Sequence, residues 1–231
     1  MNRLCLFLLL LLSLTGPADL AAQEATEYRM ELGVAAGGGF SLNDVNSAFY
    51  GQTKAAGGAV VRFILNPRMA IKTALTYSQL GGSTAGVKNF YPAQPGTAGT
   101  ERLDFSVKGG LTDLSALYEI HFLPYGYERS YQGFYRLVPY LQVGLGLTYS
   151  DAGDAFAVNF PVGFGLKYKI GRRLNLGLDW RMHFTMNDRL EGLQAPLGIT
   201  SGGFRNKDHY CVTLLTLTYD LAPRCPDCNK D

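Results

Sequence analysis

The chain is 231 residues long, 47% hydrophobic and 17% charged, with a formal net charge of +2. Soluble domains run nearer ~25% charged, and so small a net charge gives no electrostatic reason to expect a nucleic-acid partner. With 28 glycines, 14 tyrosines and 13 phenylalanines, the composition suits apolar surface spread over many short strands.

Residues 1–22 begin Met1-Asn2-Arg3, run apolar from Leu4 to Leu14 and close on Leu20-Ala21-Ala22. A basic start, an apolar stretch of this length and small residues before a cut describe a secretory signal peptide. The run is shorter than the ~20 residues of a membrane helix, and no later segment is long and apolar enough to be one. Cleavage after Ala22 leaves one domain, read as a barrel over 23–221 followed by a tail, 222–231.

Period-two alternation begins in the mature chain and predicts eight strands. In 26–36, Tyr28, Met30, Leu32 and Val34 alternate with Glu27, Arg29, Glu31 and Gly33. In 57–65, Ala59, Val61, Phe63 and Leu65 alternate with Gly58, Val60, Arg62 and Ile64. Residues 69–78 set Ile71, Leu75 and Tyr77 against Lys72, Ala74 and Ser78, and 111–122 set Leu114, Tyr118 and Ile120 against Asp113, Glu119 and His121. Residues 137–150 and 156–170 carry the longest apolar parities, the latter with Lys167 and Lys169 opposite. Residues 174–185 set Leu176, Leu178 and Trp180 against Asp179, Arg181 and His183, and 210–221 set Leu215, Leu217 and Tyr219 against Thr216, Thr218 and Asp220.

A soluble β-sandwich also alternates, but two features favour a transmembrane barrel. The apolar parity is as long as a tilted membrane strand requires, and the other parity mixes glycine with charge of both signs, as in a small barrel filled by side chains. Aromatics gather at both ends of the apolar parity: Tyr28, Phe122, Tyr168 and Tyr219 at one rim, Tyr77, Tyr149, Phe156 and Phe184 at the other. The expected fold is an eight-stranded antiparallel outer-membrane β-barrel embedded in lipid. Tight turns at Asn66-Pro67-Arg68 and Gly171-Arg172-Arg173, set against long loops at 37–56, 79–110 and 185–209, put both termini in the periplasm. Residues 124–136 form an unusually long inner connection and 151–155 an unusually short outer one.

Several segments resemble a small outer-membrane barrel family, the one that includes PorG of the type IX protein secretion system. They are Leu65-Asn66-Pro67-Arg68-Met69-Ala70, the run from Ala116 to Tyr125, the run from Val138 to Gly146 and, most specifically, the run from Gly165 to Arg181. The resemblance implies a non-enzymatic barrel that anchors a periplasmic ring of PorK and PorN type, and it offers no catalytic residue and no cofactor to carry over.

The inward residues Glu27, Arg29, Glu31, Arg62, Lys72, Glu119, His121, Lys167, Lys169, Asp179, Arg181 and His183 read as one lumen network, because buried charges need partners. With the lumen so filled, a conducting pore is not expected. His183 with Asp179 and Arg181 also prompts the question of a membrane-embedded hydrolase, and paired lumen charges are the plainer reading. The glycines between Gly33 and Gly39 lack the strand–loop–helix setting of a phosphate loop and are assigned to strand bending and loop entry.

The mature chain keeps Cys211, Cys225 and Cys228. An odd count in an exported chain points to an intermolecular bond or a free thiol, and two cysteines fall short of a zinc site. For Cys225 and Cys228 an internal disulfide and a link to a partner both stay open. Together with Tyr127, Glu128, Arg129 and Tyr131 of the long inner connection, they are the expected partner-binding residues. The alternative is a surface barrel whose outer loops bind a ligand or a host component.

Overall fold

The computed structural model describes residues 28–42, 46, 48–83, 106–127, 133–186, 190 and 208–223. Eight strands run in chain order: β1 (Tyr28–Leu42), β2 (Lys54–Asn66), β3 (Met69–Ser83), β4 (Ser106–His121), β5 (Leu137–Ser150), β6 (Ala155–Lys169), β7 (Leu174–Thr185) and β8 (His209–Pro223). Each pairs antiparallel with its neighbour in sequence, and β1 closes on β8, so the sheet has no free edge. The expected eight-stranded antiparallel barrel is the fold of this chain.

The rung that starts at Met30 passes through Phe63, Ile71, Tyr118, Val143, Val162, Met182 and Cys211 and re-enters β1 at Phe40, ten residues further on. A stagger of this kind tilts the strands, and eight strands leave an interior just wide enough for side chains to fill.

The alternation sorts the residues onto two faces. Val34 is 63% exposed and Leu145 59%, whereas Glu31, Lys72 and Asp179 are each 0% exposed. An apolar outside around a charged inside inverts a water-soluble protein, and such an exterior is stable where the surroundings are hydrocarbon. Phe122, Tyr168 and Tyr219 are exposed near one rim, and Tyr77, Phe156 and Phe184 near the other. Tyr28 departs from the girdle reading. Its hydroxyl accepts from Arg173 Nε at 3.3 Å, and its ring lies 5.7 Å from Lys169 Nζ.

One end of the barrel, the turn end, carries the connections at 67–68, 122–136 and 170–173 together with the strand ends Tyr28 and Pro223, which pair. The other, the loop end, carries 43–53, 84–105, 151–154 and 186–208. Four strands reach further toward the loop end than alternation predicts: β1 to Leu42, β2 from Lys54, β3 to Ser83 and β4 from Ser106. The glycines at 37–39, read as loop entry, are paired on both sides. A Cβ on Gly37 would collide with the Thr213 carbonyl, so glycine there serves close strand approach, and without side chains it carries no alternation to read.

Candidate functional site

The lumen near the turn end is filled by an ion lattice. Arg62, from β2, donates through Nη1 to Glu31 at 2.5 Å and through Nε and Nη2 to Glu119 at 2.6 and 3.1 Å. Lys72 Nζ sits 2.8 Å from Glu119 Oε1 and 2.8 Å from Asp179 Oδ2, joining β3, β4 and β7. Lys167 pairs with Glu31, and Lys169 with Asp220 at 2.6 Å. Four carboxylates therefore meet four cations, and all eight residues are buried. Taking charge out of water is costly unless geometry and extra hydrogen bonds compensate, and neutral donors supply them. Tyr140 Oη and Gln142 Nε2 donate to Asp179, Thr218 Oγ1 donates to Glu31, and Asn175 Nδ2 donates to Asp220.

The sequence-predicted lumen residues divide at this point. Glu31, Arg62, Lys72, Glu119, Lys167, Lys169 and Asp179 are in the lattice, and His121 borders it, with Nε2 3.7 Å from Glu119 and Nδ1 3.2 Å from the Pro67 carbonyl. Arg29 is a correction: its side chain is exposed. Parity sets a strand residue's face but not its depth, and two residues before Glu31 the chain is already at the rim, where water can solvate the guanidinium. Glu27 lies outside the described residues.

Arg181 and His183 belong to a different environment. Arg181 is fully buried and donates to Thr76 Oγ1 at 3.3 Å, with no carboxylate at ion-pair distance among the described residues. His183 stacks on Tyr210 at 4.3 Å, and its Nδ1 lies 3.1 Å from Asn159 Oδ1 and 3.8 Å from Asp113. Asp113 takes further bonds from Ser115 Oγ, from Thr148 Oγ1 at 3.2 Å and from Asn159 Nδ2 at 2.7 Å. Ser115 thus donates directly to the acid, whereas a hydrolase relay places histidine between serine and acid. Around this hub Val60, Leu80, Leu111, Val212 and Leu214 form an apolar cluster.

The turn-end mouth is closed by the connection from β4 to β5. Tyr125 N–H donates to the Pro67 carbonyl at 2.9 Å, and its hydroxyl donates to Asn175 Oδ1 at 2.7 Å. Its ring lies 4.1 Å from Lys167 Nζ and 5.2 Å from Lys169 Nζ, capping the lattice by cation–π contact. Burial, reinforced by the Glu31 and Asp220 carboxylates, holds the Tyr125 phenol well above its ordinary range, so it stays a donor. The returning limb is clamped by Arg136, which donates to the Lys169 and Ile170 carbonyls at 2.9–3.0 Å. Phe134 is buried behind Gly126. What remains open at the mouth is about 30 Å³, lined by Tyr28, Ile64, His121, Tyr125 and Lys167 among others. That is room for a water or two.

Of the expected partner-binding residues, Tyr127 is half-buried with Arg136 4.8 Å from its ring. Glu128, Arg129, Tyr131, Cys225 and Cys228 lie outside the described residues, as does the signal segment 1–22. Cys211 is a buried free thiol packed with Phe40 and Met182. Sequence reasoning missed Tyr125 as a plug, Tyr140 and Gln142 as lattice donors, and Asp113 with Asn159 as the second hub. Inward parity was the available signal for all but Tyr125.

A family profile described as a domain of unknown function (DUF6089) matches residues 5–230. The chain belongs to the DUF6089 family. A search of the curated proteins finds no match to it. Among solved structures it is similar to the N-terminal β-barrel domain of Pseudomonas aeruginosa OprF, at 16% identity over 83% of this chain and 97% of that one, with a TM-score of 0.41. It is also similar to OprG of Pseudomonas aeruginosa, at 10% identity, 87% and 99% coverage and a TM-score of 0.45. A third is Neisserial surface protein A, at 11% identity, 85% and 98% coverage and a TM-score of 0.43. The fold of this DUF6089 member rests on its own closed strand ladder.

Proposed function

We propose that this chain is a non-enzymatic outer-membrane barrel that holds a periplasmic assembly against the membrane. In this reading the turn end and both termini lie in the periplasm, and the partner is the PorK- and PorN-type ring of type IX secretion. The observation that carries it is the filled interior: among the described residues the ion lattice and the Tyr125–Phe134 plug leave no path for a solute, so function falls to the two ends. The turn end holds a structured connection clamped by Arg136, and residues 128–132 and the tail after Pro223 issue from that same end. The likeness of the run from Gly165 to Arg181 to the PorG family supports the ring as partner, and PorG itself as the equivalent protein.

The test is a photo-crosslinking amino acid placed at Tyr127 in cells. Adducts with periplasmic ring subunits are expected, and adducts confined to loop-end positions would overturn the reading. In the tail, Cys225 and Cys228 either close on each other or bond a ring subunit. A higher-mass band that disappears with reductant, and is lost when Cys225→Ser and Cys228→Ser are combined, identifies the link; monomer alone in both conditions leaves the internal bond. The second reading, a ligand-binding surface barrel, draws on the β3–β4 ribbon, which continues six residues past the Tyr77–Thr112 rung. Extracellular adducts from that ribbon, with none at Tyr127, would favour it.

A further inference from the structure

We infer that the outer wall of the β3–β4 extension is a binding site for the phosphate-bearing headgroup of a membrane lipid. The inference rests on the barrel's membrane placement but not on the identity of any protein partner. The extension contains Gly81, Gly82, Gly109 and Gly110. Glycines at that density weaken a strand and mark places where something approaches the backbone. Three of these positions have an occupant on the side where a Cβ would stand. Lys54 Cε is 3.0 Å from it at Gly81 and the Tyr77 ring lies across Gly110, both on the outward face, whereas the Asp151 carboxylate lies against Gly109 on the inward face shared with Leu80.

These side chains, laid flat against bare backbone, rim a hollow of about 560 Å³ that also takes in Gln79, Ser83 and Lys108. Lys108 pairs with Gly81 across the ladder, and the Lys54 side chain reaches the same Gly81 position from β2. Among the described residues neither ammonium has a carboxylate or a hydrogen-bond partner. Asp151, the acid in the lining, is engaged by the Gly110 N–H. The hollow therefore presents two lysine ammoniums against one carboxylate, a net positive charge on a side-chain-poor wall.

Its depth selects the ligand. Tyr77 is 49% exposed at the loop-end girdle, and the apolar pair Leu75 and Leu114 lies just below it, 50% and 52% exposed. Gly81 is four residues beyond Tyr77, about 13 Å along the strand and about 10 Å along the barrel axis at the usual tilt. An aromatic girdle marks the edge of the hydrocarbon, and headgroups occupy roughly the next 5–8 Å. A lysine whose stem lies back toward the membrane brings its ammonium into that layer. A lipid phosphate can then meet both lysines while its acyl chains lie on Leu75 and Leu114. A free phosphate would gain nothing from this placement.

The test begins with the full barrel folded into phosphatidylcholine vesicles. Failure to insert there would remove the membrane placement itself, and the site with it. For a barrel that inserts, native mass spectrometry in neutral detergent follows titration with diphosphorylated lipid A, its dephosphorylated counterpart and inorganic phosphate. The diphosphorylated lipid is expected to bind, and Lys54→Ala combined with Lys108→Ala should weaken it about tenfold or more. Lys54→Arg with Lys108→Arg should retain binding, and Arg172→Ala with Arg173→Ala, at the opposite end, should leave it unchanged. Heat-dependent gel mobility checks that each variant is folded. Equal binding of the dephosphorylated lipid, equal competition by inorganic phosphate, or equal loss in the Arg172 and Arg173 variant would each overturn the site.

Discussion

Between its two ends the lumen changes character. At the turn end Glu31, Glu119, Asp179 and Asp220 face Arg62, Lys72, Lys167 and Lys169. At the loop end Val60, Leu80, Leu111, Val212 and Leu214 pack around the acid Asp113, which hydroxyl and amide groups hold. Both halves exclude solvent, but by different physics. In the lattice Arg62, Lys72, Glu31 and Glu119 each serve two ion partners, so loss of one strands the others in a medium of low dielectric. In the loop-end half dispersion contacts are short-ranged, and a polar loss there is confined to one hub. The charged half is therefore the less forgiving one, and it lies directly above the plug and the proposed partner surface.

The largest effect is expected for Arg62→Met. It removes the only guanidinium in the lattice and leaves Glu31 and Glu119 short of a partner, at a cost of about 3–5 kcal/mol. Urea unfolding of the barrel in vesicles measures it, and a loss below ~1 kcal/mol would abolish the contrast between the halves. Next is Leu178→Arg, which puts a charge on the hydrocarbon side of β7 and should cost about 2–4 kcal/mol with slower insertion. It tests whether the exterior is as intolerant of charge as the interior is dependent on it.

Asp113→Asn keeps the shape of the hub and should cost about 1–2 kcal/mol, measurably less than Arg62→Met. A larger loss there would show that the loop-end half is also held by charge, through His183 or Arg181. The smallest effect is that of salt. Because the lattice is closed to solvent, molar salt should leave its contribution unscreened. The difference in urea midpoint between wild type and Arg62→Met should be the same at low and high salt; a difference that shrinks with salt would mean that water reaches the lattice.

Much of this was legible in sequence because strand alternation is a local signal. Leu178 and Asp179 are neighbours whose faces follow from the pleat alone, and Glu119 and Lys72 read as inward for the same reason. Depth was not legible. Arg29 has the parity of Glu31 yet is exposed, and Tyr28 has girdle parity yet bonds Arg173 and lines the mouth. The glycine-rich ends of β1, β3 and β4 gave no alternation, so their continuation past the girdle was hidden. Tyr125 sits in an irregular connection whose course no periodicity describes.

By itself the sequence determined the strand count, the two faces of each strand and the need for a charge-balanced lumen, all consequences of period two and of the cost of burying unpaired charge. Only the tertiary structure decided which charge meets which. That depends on the ten-residue stagger between Met30 and Phe40, a property of closing eight strands on one another rather than of any one of them. Closure set Lys72 of β3 against Asp179 of β7 and Lys167 of β6 against Glu31 of β1. Contacts across a barrel join residues far apart in the chain, and a local pattern carries no record of them.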